Sequence, residues 1–145
     1  MNGKNLMTEG GQEEENIGMV KQLYDALGRS DISSVLNMFA DDAIAHGPAP
    51  ADVLPWGGVH NGREGVAKLL KVLGESLEDE QFELHEFIAQ RNKVVVLGYA
   101  KGHAKPTGRP YEIEFVHVWS VRNGKFSELR VYNNTAALVE ALSPP

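Results

Sequence analysis

Two histidines are the residues whose chemistry and setting could support a reaction. His117 lies at the centre of the apolar and aromatic segment EFVHVW, residues 114–119, and His46 ends the short stretch 43–46. An imidazole titrates near pH 6.5, so either ring could act as a general acid or base near neutrality. Two imidazoles in one pocket could remove an acidic proton next to a carbonyl, or they could orient a ligand without reacting. For His117 a structural imidazole, satisfied by a core neighbour, is a third interpretation.

Metal and covalent chemistry are not indicated by the sequence. Its five histidines, at positions 46, 60, 85, 103 and 117, show neither HxH nor HExxH spacing. The sequence contains no cysteine, which excludes thiol nucleophiles, thiolate metal sites and disulfides. Phosphate-binding glycine loops and serine nucleophile elbows are also missing. We therefore predict no metal site and no cofactor.

The charge balance argues against polyanionic partners. Lys and Arg number 14 against 20 Asp and Glu, a formal charge of −6, whereas nucleic acids and anionic membranes select basic surfaces. No apolar run approaches the roughly 20 residues that cross a bilayer. The N-terminal stretch MNGKNLMTEGGQEEE lacks the apolar core of a signal peptide. We therefore expect a cytoplasmic protein that binds neither nucleic acid nor membrane.

Helical spacing begins after a polar start. Residues 1–12 are polar and glycine-rich and are expected to form a disordered tail, which leaves a single domain over residues 13–145. Apolar residues then recur at helical spacing from Ile17 to Leu27, and Gly28 is a suitable stop.

A second helix and a long loop follow. Asp31 is expected to cap a short helix that carries Phe39 on its apolar face. Residues 43–46 could form a brief strand. The segment 47–62 holds several prolines and glycines and is predicted to be a loop.

A third helix is predicted after this loop. Asn61 and Glu64 have the spacing of a capping box, and Gly74 is expected to end the helix.

The second half of the chain alternates with the period of β-strands. Asn123 and Gly124 form a strong hairpin signal between the last two strands, and Asn134 could cap a final helix. Helices followed by an antiparallel meander indicate an α+β fold. The four strands are predicted at residues 82–89, 93–103, 111–121 and 126–133.

Alternation along residues 111–121 divides their side chains between two faces. Phe115, His117 and Trp119 share the more apolar and aromatic face, which should meet the helices. Phe115 and Trp119 therefore flank His117 on this face and would form the wall of any pocket that the face borders. The opposite face, which carries Glu112 and Glu114, would then meet solvent or a second subunit.

Three further residues are candidate ligand contacts. Trp56 lies in the proline- and glycine-rich loop, where it could close over an apolar ligand or could anchor the loop on the core. Tyr99 and Asn133 are possible polar contacts, although a β-bulge would change the direction in which either points.

Three stretches resemble one known family: LYDALGRSDISSVLNMFADDA (23–43), HNGREGVAKLL (60–70) and TGRPYEIEFVHVWSVRNGKFSELRVYNNTAAL (107–138). Together they resemble SnoaL-like, ketosteroid-isomerase-related proteins of the nuclear-transport-factor-2-like superfamily. The resemblance implies a cone-shaped, cystatin-like α+β barrel, in which a curved, mostly antiparallel sheet wraps around three helices. It also implies an apolar pocket for a small molecule, and a homodimer. Family members include isomerases, polyketide cyclases, dehydratases, epoxide hydrolases and non-catalytic binders.

The family's functional residues carry over only in part. The place of the isomerase base reads Ala45, with His46 beside it, and the isomerase tyrosine falls one residue from Tyr24. His117 occupies the position of the isomerases' protonated aspartate, where SnoaL-type cyclases have a histidine. The cyclase aspartate on the last strand falls near Val131, so the resemblance places both Tyr24 and Val131 among the expected substrate-binding residues. The usual catalytic carboxylates are therefore missing at these positions.

Three functions remain open on the sequence. The first is acid–base catalysis by His117 and His46 on a small apolar carbonyl compound. The second is ligand binding in the same pocket without turnover. The third is a dimerisation domain with a degenerate site. The missing carboxylates favour the second and third, and a polar group on an apolar face favours the first two.

Overall fold

The computed structural model describes residues 9–144, which form an α+β fold. Its helices are α1 (Glu9–Gly28), α2 (Ile32–Asn37), α3 (Gly62–Ser76) and α4 (Thr135–Leu142). Its strands are β1 (Phe39–His46), β2 (Val59–Asn61), β3 (Leu77–Gln90), β4 (Lys93–Ala104), β5 (Pro110–Arg122) and β6 (Lys125–Asn133).

The strands form one curved sheet in the order β2-β1-β6-β5-β4-β3. All neighbours pair antiparallel except β1 and β6, which pair in parallel. The predicted class, a mostly antiparallel curved sheet against helices, is confirmed. Helices pack on one face of the sheet, called the inner face below, and the opposite face is called the outer face.

Helix α1 starts earlier than the sequence indicated. The expected tail covered residues 1–12, but residues 9–12 belong to α1, and the rest of that segment lies outside the described residues. The first turns are held by side chains: Gln12 donates to Asn16 at 3.0 Å, and the Glu13 carboxylate accepts from the Arg91 backbone N–H at 2.6 Å. The β3–β4 turn therefore anchors this end of the helix.

Helix α2 is capped as predicted, but it ends sooner. The Asp31 carboxylate accepts from the Ser34 backbone N–H at 3.2 Å. Phe39 begins β1 rather than ending α2, because the Met38 carbonyl accepts from the Phe126 N–H at 2.9 Å and so starts the pairing with β6. The Phe39 ring is buried against the inner face of the sheet.

The third helix departs from its predicted ends. Asn61 precedes it without making a side-chain capping bond, and residues 59–61 pair with β1 as the short strand β2. Gly74 does not end the helix, which continues to Ser76. Lys105 binds this end of the helix: its side chain donates to the Gly74 carbonyl and its backbone N–H donates to the Ser76 carbonyl. Strand β3 consequently begins at Leu77, well before the predicted start at Phe82.

Alternation along β4 and β5 builds the inner face. Val94, Val96 and Ala100 of β4 are buried there, and the predicted aromatic face of β5 lies against them. Gly98 opposes Phe115, and a Cβ at Gly98 would lie 2.4 Å from the ring's Cζ atom. A glycine at this position therefore lets the Phe115 ring lie flat against the sheet.

No helix within residues 9–144 is long and apolar enough to cross a membrane.

Candidate functional site

A cavity of about 360 Å³ lies between the inner face of the sheet and the four helices. Its wall is mostly apolar, with a few polar groups placed among leucines and aromatic rings. Such a cavity is typical of small-molecule sites. Seven of the nine predicted site residues line it: Tyr24, His46, Trp56, His117, Trp119, Val131 and Asn133.

His117 is hydrogen-bonded to Tyr24 across the cavity wall. Its Nδ1 atom contacts the Tyr24 hydroxyl, and the two rings are nearly parallel, 5.8 Å apart between centroids. The Trp119 indole N–H donates to the same hydroxyl at 3.3 Å. Helix α1 and strand β5 thus share a chain of hydrogen bonds from Trp119 through Tyr24 to His117.

These hydrogen bonds determine which nitrogen of the imidazole carries the proton. An indole N–H can only donate, so Trp119 occupies a lone pair of the Tyr24 oxygen and leaves the phenol proton for another acceptor. Nδ1 of His117 is the acceptor in contact with that hydroxyl. The neutral ring therefore carries its proton on Nε2, and that atom has no hydrogen-bond partner among residues 9–144.

Burial keeps both groups uncharged. Desolvation lowers the pKa of His117 from 6.5 to about 3. Desolvation also raises the pKa of Tyr24, with partial compensation from the Trp119 hydrogen bond. The pair is a neutral imidazole and a neutral phenol at physiological pH. It presents a hydrogen-bond donor, Nε2–H, rather than the base of near-neutral pKa that an unperturbed histidine would provide.

Phe115 lies behind His117 rather than in the cavity wall. Its ring stacks on the imidazole with 4.1 Å between centroids and is buried. Its predicted direct contact with a ligand is therefore not supported. The ring instead fills the space over Gly98 and fixes the plane of the imidazole.

Tyr99 lies on the outer face and not in the cavity. It alternates with the buried residues Gly98 and Ala100, and a hydrogen bond with Glu112 raises the pKa of its hydroxyl to about 12. No bulge interrupts the pairing of β4 with β5, so simple alternation holds here. Its predicted role as a ligand contact does not agree with this placement.

His46 borders the cavity where β1 ends, but its imidazole is engaged elsewhere. Ala45 pairs with Leu129, an inner-face residue of β6, and His46 pairs with the next residue, Arg130. Because neighbouring residues of a strand point to opposite faces, His46 has the outer-face orientation of Arg130. Its Nε2 atom donates to the Glu128 carboxylate at 2.9 Å. His46 and His117 both line the cavity, but the Nε2 atom of His46 is engaged by Glu128.

The carboxylate beside His46 is ionised by its neighbours. Partial burial raises the pKa of Glu128, but the His46 hydrogen bond and the charges of Arg130, His46 and Lys93 lower it overall. Arg130 contacts the same carboxylate oxygen at 3.1 Å.

Trp56 lines the cavity and also anchors its loop on the core. It lines the cavity, is only 4% exposed, and its carbonyl accepts a hydrogen bond from His60 Nε2 at 3.0 Å. The loop closes tightly around it, since a Cβ at Gly47 would lie 2.7 Å from the Trp56 carbonyl oxygen. The ring is thus a fixed part of the wall.

Asn133 offers a polar contact near the end of β6. Its Oδ1 atom accepts from the Thr135 hydroxyl at 3.0 Å, which orients the amide and leaves its N–H₂ group without a partner in the described chain. Val131, two residues earlier, contributes apolar wall.

Sequence reasoning missed a carboxyl group in the wall. Glu80 of β3 lines the cavity, and its Oε2 atom accepts a hydrogen bond from the Tyr111 hydroxyl. Glu80 is exposed as a residue, yet desolvation of its carboxyl raises its pKa, partly offset by the Tyr111 hydrogen bond. Tyr111 is buried, and its own pKa is raised by burial and by the Glu80 charge.

A β-bulge brings Glu80 to this place. Glu78 pairs with His103 and Gln81 with Lys101, so β3 has one residue more than β4 between these pairs. Asp79 takes up the irregularity with a left-handed φ of 56°. A mild signal existed in the sequence, because glycine inside a strand often marks a bulge, and Gly102 stands opposite this one.

All the Asp, Glu, Lys and Arg side chains among the described residues that line the cavity are acidic. Glu78, Asp79 and Glu80 lie at its margin, and no Lys or Arg is among the described residues that line it. The described part of the chain holds no cluster of three or more His, Asp or Glu side chains that could hold a metal ion. The arrangement suits an uncharged, largely apolar ligand.

Comparison with known protein families finds a match over most of the chain. The model of the SnoaL-like domain matches residues 20–129, a range that includes Tyr24, Glu80 and His117. A search of curated proteins finds no match.

Solved structures with similar folds cover almost all of the chain. An NTF2-like protein from Burkholderia xenovorans is 33% identical, with a TM-score of 0.81 over 94% of this chain and 99% of that one. An NTF2-like protein of unknown function from Burkholderia pseudomallei is 26% identical, with a TM-score of 0.82 over 88% and 97%. TerC, co-crystallised with polyporic acid, is 26% identical, with a TM-score of 0.78 over 88% and 97%.

Proposed function

Because the chain belongs to the SnoaL-like domain family, we propose that it is an acid–base enzyme for a small, uncharged, largely apolar carbonyl compound. In this proposal the ligand occupies the cavity of about 360 Å³, and its carbonyl oxygen accepts a hydrogen bond from His117 Nε2. The reaction is proton transfer at the carbon next to the carbonyl.

The hydrogen bond between Tyr24 and His117 is the observation that carries the proposal. It fixes the imidazole as a neutral donor whose Nε2–H has no partner among the described residues, and His117 is part of a mostly apolar cavity wall. A positioned donor in a site of low polarity stabilises negative charge as it develops on a carbonyl oxygen. Loss of a proton from the neighbouring carbon produces such charge, because the C–H electron pair moves into the enolate.

The acidic residues that line the cavity favour an uncharged ligand. A carboxylate or phosphate group would meet Glu78, Asp79 and Glu80 without a basic side chain among the described lining residues. Desolvating an anion without a partner is costly. The substrate class is therefore uncharged ketones or enones rather than anionic acids.

A non-catalytic binding protein is the second candidate, and one observation favours it. With a pKa of about 3, His117 cannot accept a proton near neutral pH, so this residue alone does not provide a base. TerC, a similar structure, was crystallised with a small molecule, which supports ligand binding but not turnover in this chain.

A homodimer remains part of the proposal. The outer face of the sheet carries apolar side chains that would be covered in a dimer, among them Ile88 and Tyr132, which are 49% and 54% exposed. Ile88 pairs with Val95, and Tyr132 with Val116, so these residues form neighbouring rows on that face.

The test uses 2-tetralone, an uncharged ketone with acidic protons next to its carbonyl. Binding is followed by fluorescence, since both tryptophans, Trp56 and Trp119, line the cavity. Turnover is followed by NMR as exchange of the acidic protons in D₂O. We expect the protein to bind the ketone and to accelerate exchange, and we expect His117→Ala to weaken both.

A matched control is His85→Ala, since His85 is exposed on β3 and does not line the cavity. Binding without exchange would support the non-catalytic candidate. Neither binding nor exchange by the unaltered protein would contradict the proposed function.

A further inference from the structure

We propose that Glu80 is the proton-transferring group of this cavity and that Tyr111 positions it. This inference rests on the proposed function, since it assigns the base that His117 cannot supply. It also defines the substrate further. The substrate is an uncharged carbon acid whose carbonyl oxygen lies toward His117 and whose acidic C–H lies toward β3.

The backbone places Glu80 in the cavity wall. The bulge at residues 79–80 puts two residues of β3 opposite the single residue Gly102 of β4. Without that extra residue, the acids 78–80 would simply alternate between the two faces of the sheet. All three of them instead border the cavity.

Tyr111 holds the carboxyl group through one of its two oxygens. The phenol is 4% exposed and donates to Oε2 of Glu80. Gly102 makes room for that hydroxyl, since a Cβ at this position would lie 2.7 Å from the Tyr111 oxygen and 2.9 Å from the Glu78 carbonyl oxygen. The second carboxyl oxygen, Oε1, has no partner among the residues that the structure describes.

The cavity therefore has two functional groups that are held in the same way. The Tyr24 hydroxyl occupies Nδ1 of His117 and leaves Nε2 free, and the Tyr111 hydroxyl occupies Oε2 of Glu80 and leaves Oε1 free. One group is a neutral donor and the other is a carboxylate, as proton abstraction beside a carbonyl requires. Phe82 of β3, two residues after Glu80, also lines the cavity and packs edge-on against the Tyr24 ring.

The charged groups around Glu80 come from several elements. Glu78 and Asp79 flank it on β3, Lys101 and His103 lie on β4, and Arg109 and Glu140 lie at the adjoining surface. Asp79 and His103 approach each other to 4.0 Å, and Arg109 lies 3.7 Å from Glu140, whereas Lys101 forms no ion pair among the described residues. Glu80 itself is paired with an uncharged phenol.

The proposed step is balanced within the site. Oε1 of the Glu80 carboxylate forms a bond to the proton, the C–H bond breaks, and its electron pair becomes the C=C bond of an enolate whose oxygen is bound by His117 Nε2–H. The Glu80 carboxylic acid then returns the proton, either to the same carbon or, in a conjugated substrate, to another carbon of the enolate. The second outcome is an isomerisation, and neither outcome needs an oxidant or reductant.

The test compares Glu80→Gln with Glu83→Gln, using 2-tetralone in D₂O. Glu83 lies on the same strand but on the outer face, opposite Tyr99, and is not part of the site. We expect Glu80→Gln to keep its circular dichroism spectrum and its affinity for the ketone while losing about 100-fold or more of its exchange rate, the usual effect of removing a general base. Glu83→Gln should exchange at the unaltered rate.

Tyr111→Phe provides a second readout through the pH profile. A hydrogen bond to a carboxylate favours its charged form, so losing the phenol raises the pKa of Glu80. The acidic limb of the exchange profile should then move to higher pH, whereas in Tyr24→Phe it should stay in place. The pH profile of Tyr111→Phe tests the role of Glu80 even if Glu80→Gln folds poorly.

The outcomes separate the two claims. If the unaltered protein accelerates exchange and Glu80→Gln does so equally, the assignment of Glu80 is overturned and the proposed function stands. An acidic limb that Tyr111→Phe leaves unmoved also overturns the assignment. If the unaltered protein binds the ketone and does not exchange its protons, the enzymatic function itself fails.

Discussion

The Tyr24 hydroxyl of α1 donates a hydrogen bond to Nδ1 of His117 on β5, and the Trp119 indole donates to that hydroxyl in turn. This contact joins the first helix to the middle of the sheet. It also explains how an imidazole can lie in an apolar wall without an unpaired nitrogen on its buried side. The same contact leaves Nε2–H without a partner among the described residues, so this N–H is available to a ligand in the proposed site.

Removing this hydroxyl should affect stability and function together. Tyr24→Phe leaves Nδ1 of His117 and the Trp119 N–H without their partner, and an unsatisfied buried polar group costs about 1–3 kcal/mol. We expect a loss of that size in the free energy of unfolding in urea, with slower exchange of 2-tetralone protons. Tyr132→Phe, at an exposed position whose hydroxyl has no hydrogen-bond partner among residues 9–144, is the control and should change neither.

The stability of the protein should fall below pH 6.5 because of His117. Its folded pKa is depressed to about 3, so between that value and 6.5 the unfolded state binds more protons than the folded state. Stability therefore decreases as pH falls through this window, by at most about 1.4 kcal/mol per pH unit from this residue. Urea titrations at several pH values should show a shallower slope for His117→Asn. Equal slopes for both proteins would show that the ring is charged in the folded state.

Gly98 should be intolerant of a side chain. A Cβ there would lie 2.4 Å from the Phe115 ring and 2.7 Å from the Glu83 carbonyl oxygen, so Gly98→Ala must displace the ring that stacks on His117. Overpacking of this kind costs about 1–3 kcal/mol. Gly18→Ala in α1, where no atom lies within 4 Å, should stabilise the protein by about 0.5–1 kcal/mol. Thermal unfolding of both variants checks the contrast.

Much of the site follows from local pattern, and the rest depends on packing that sequence does not encode locally. Period-two alternation was enough to put Phe115, His117 and Trp119 on the inner face, because β5 is regular throughout that segment. The partner of His117 depended on how α1 rotates against the sheet, which the helical spacing of Tyr24 does not define.

The sequence predictions of which strand side chains reach the cavity failed where strand alternation was broken or misassigned. Glu80 was missed because a bulge at Asp79 breaks the alternation on which the sequence interpretation relied. Tyr99 was assigned to the pocket although its strand parity puts it on the outer face, and His46 borders the cavity while its imidazole bonds to Glu128. Gly98 and Gly102 were available signals, since each alternates with larger residues on β4 and makes room for an aromatic side chain of β5.

The charge of the ligand can be tested with a matched pair of compounds. 2-Acetylnaphthalene and 2-naphthoate share a ring system, but only the second carries a negative charge. We expect the carboxylate to bind more weakly by about tenfold or more, equivalent to about 1.4 kcal/mol, because the described lining offers it acids and no cation. Quenching of tryptophan fluorescence measures both affinities. Tighter binding of the carboxylate would contradict the ligand class.

The homodimer can be tested by light scattering on the eluting protein. The chain has a mass of 15.9 kDa, and we expect about twice that value. Tyr132→Lys places a charge on the exposed outer face and should shift the mass toward the monomer. A monomer for the unaltered protein at micromolar concentration would contradict the expectation.

The central claim is that His117 is a neutral donor toward the ligand, held by Tyr24. The ¹⁵N NMR shifts of the His117 ring at pH 5.5, with and without 2-tetralone, test it most directly. We predict an uncharged ring with its proton on Nε2 in both samples, and a change at Nε2 when the ketone is added. A ring that is protonated at this pH, that carries its proton on Nδ1, or that does not respond to the bound ketone would contradict the claim.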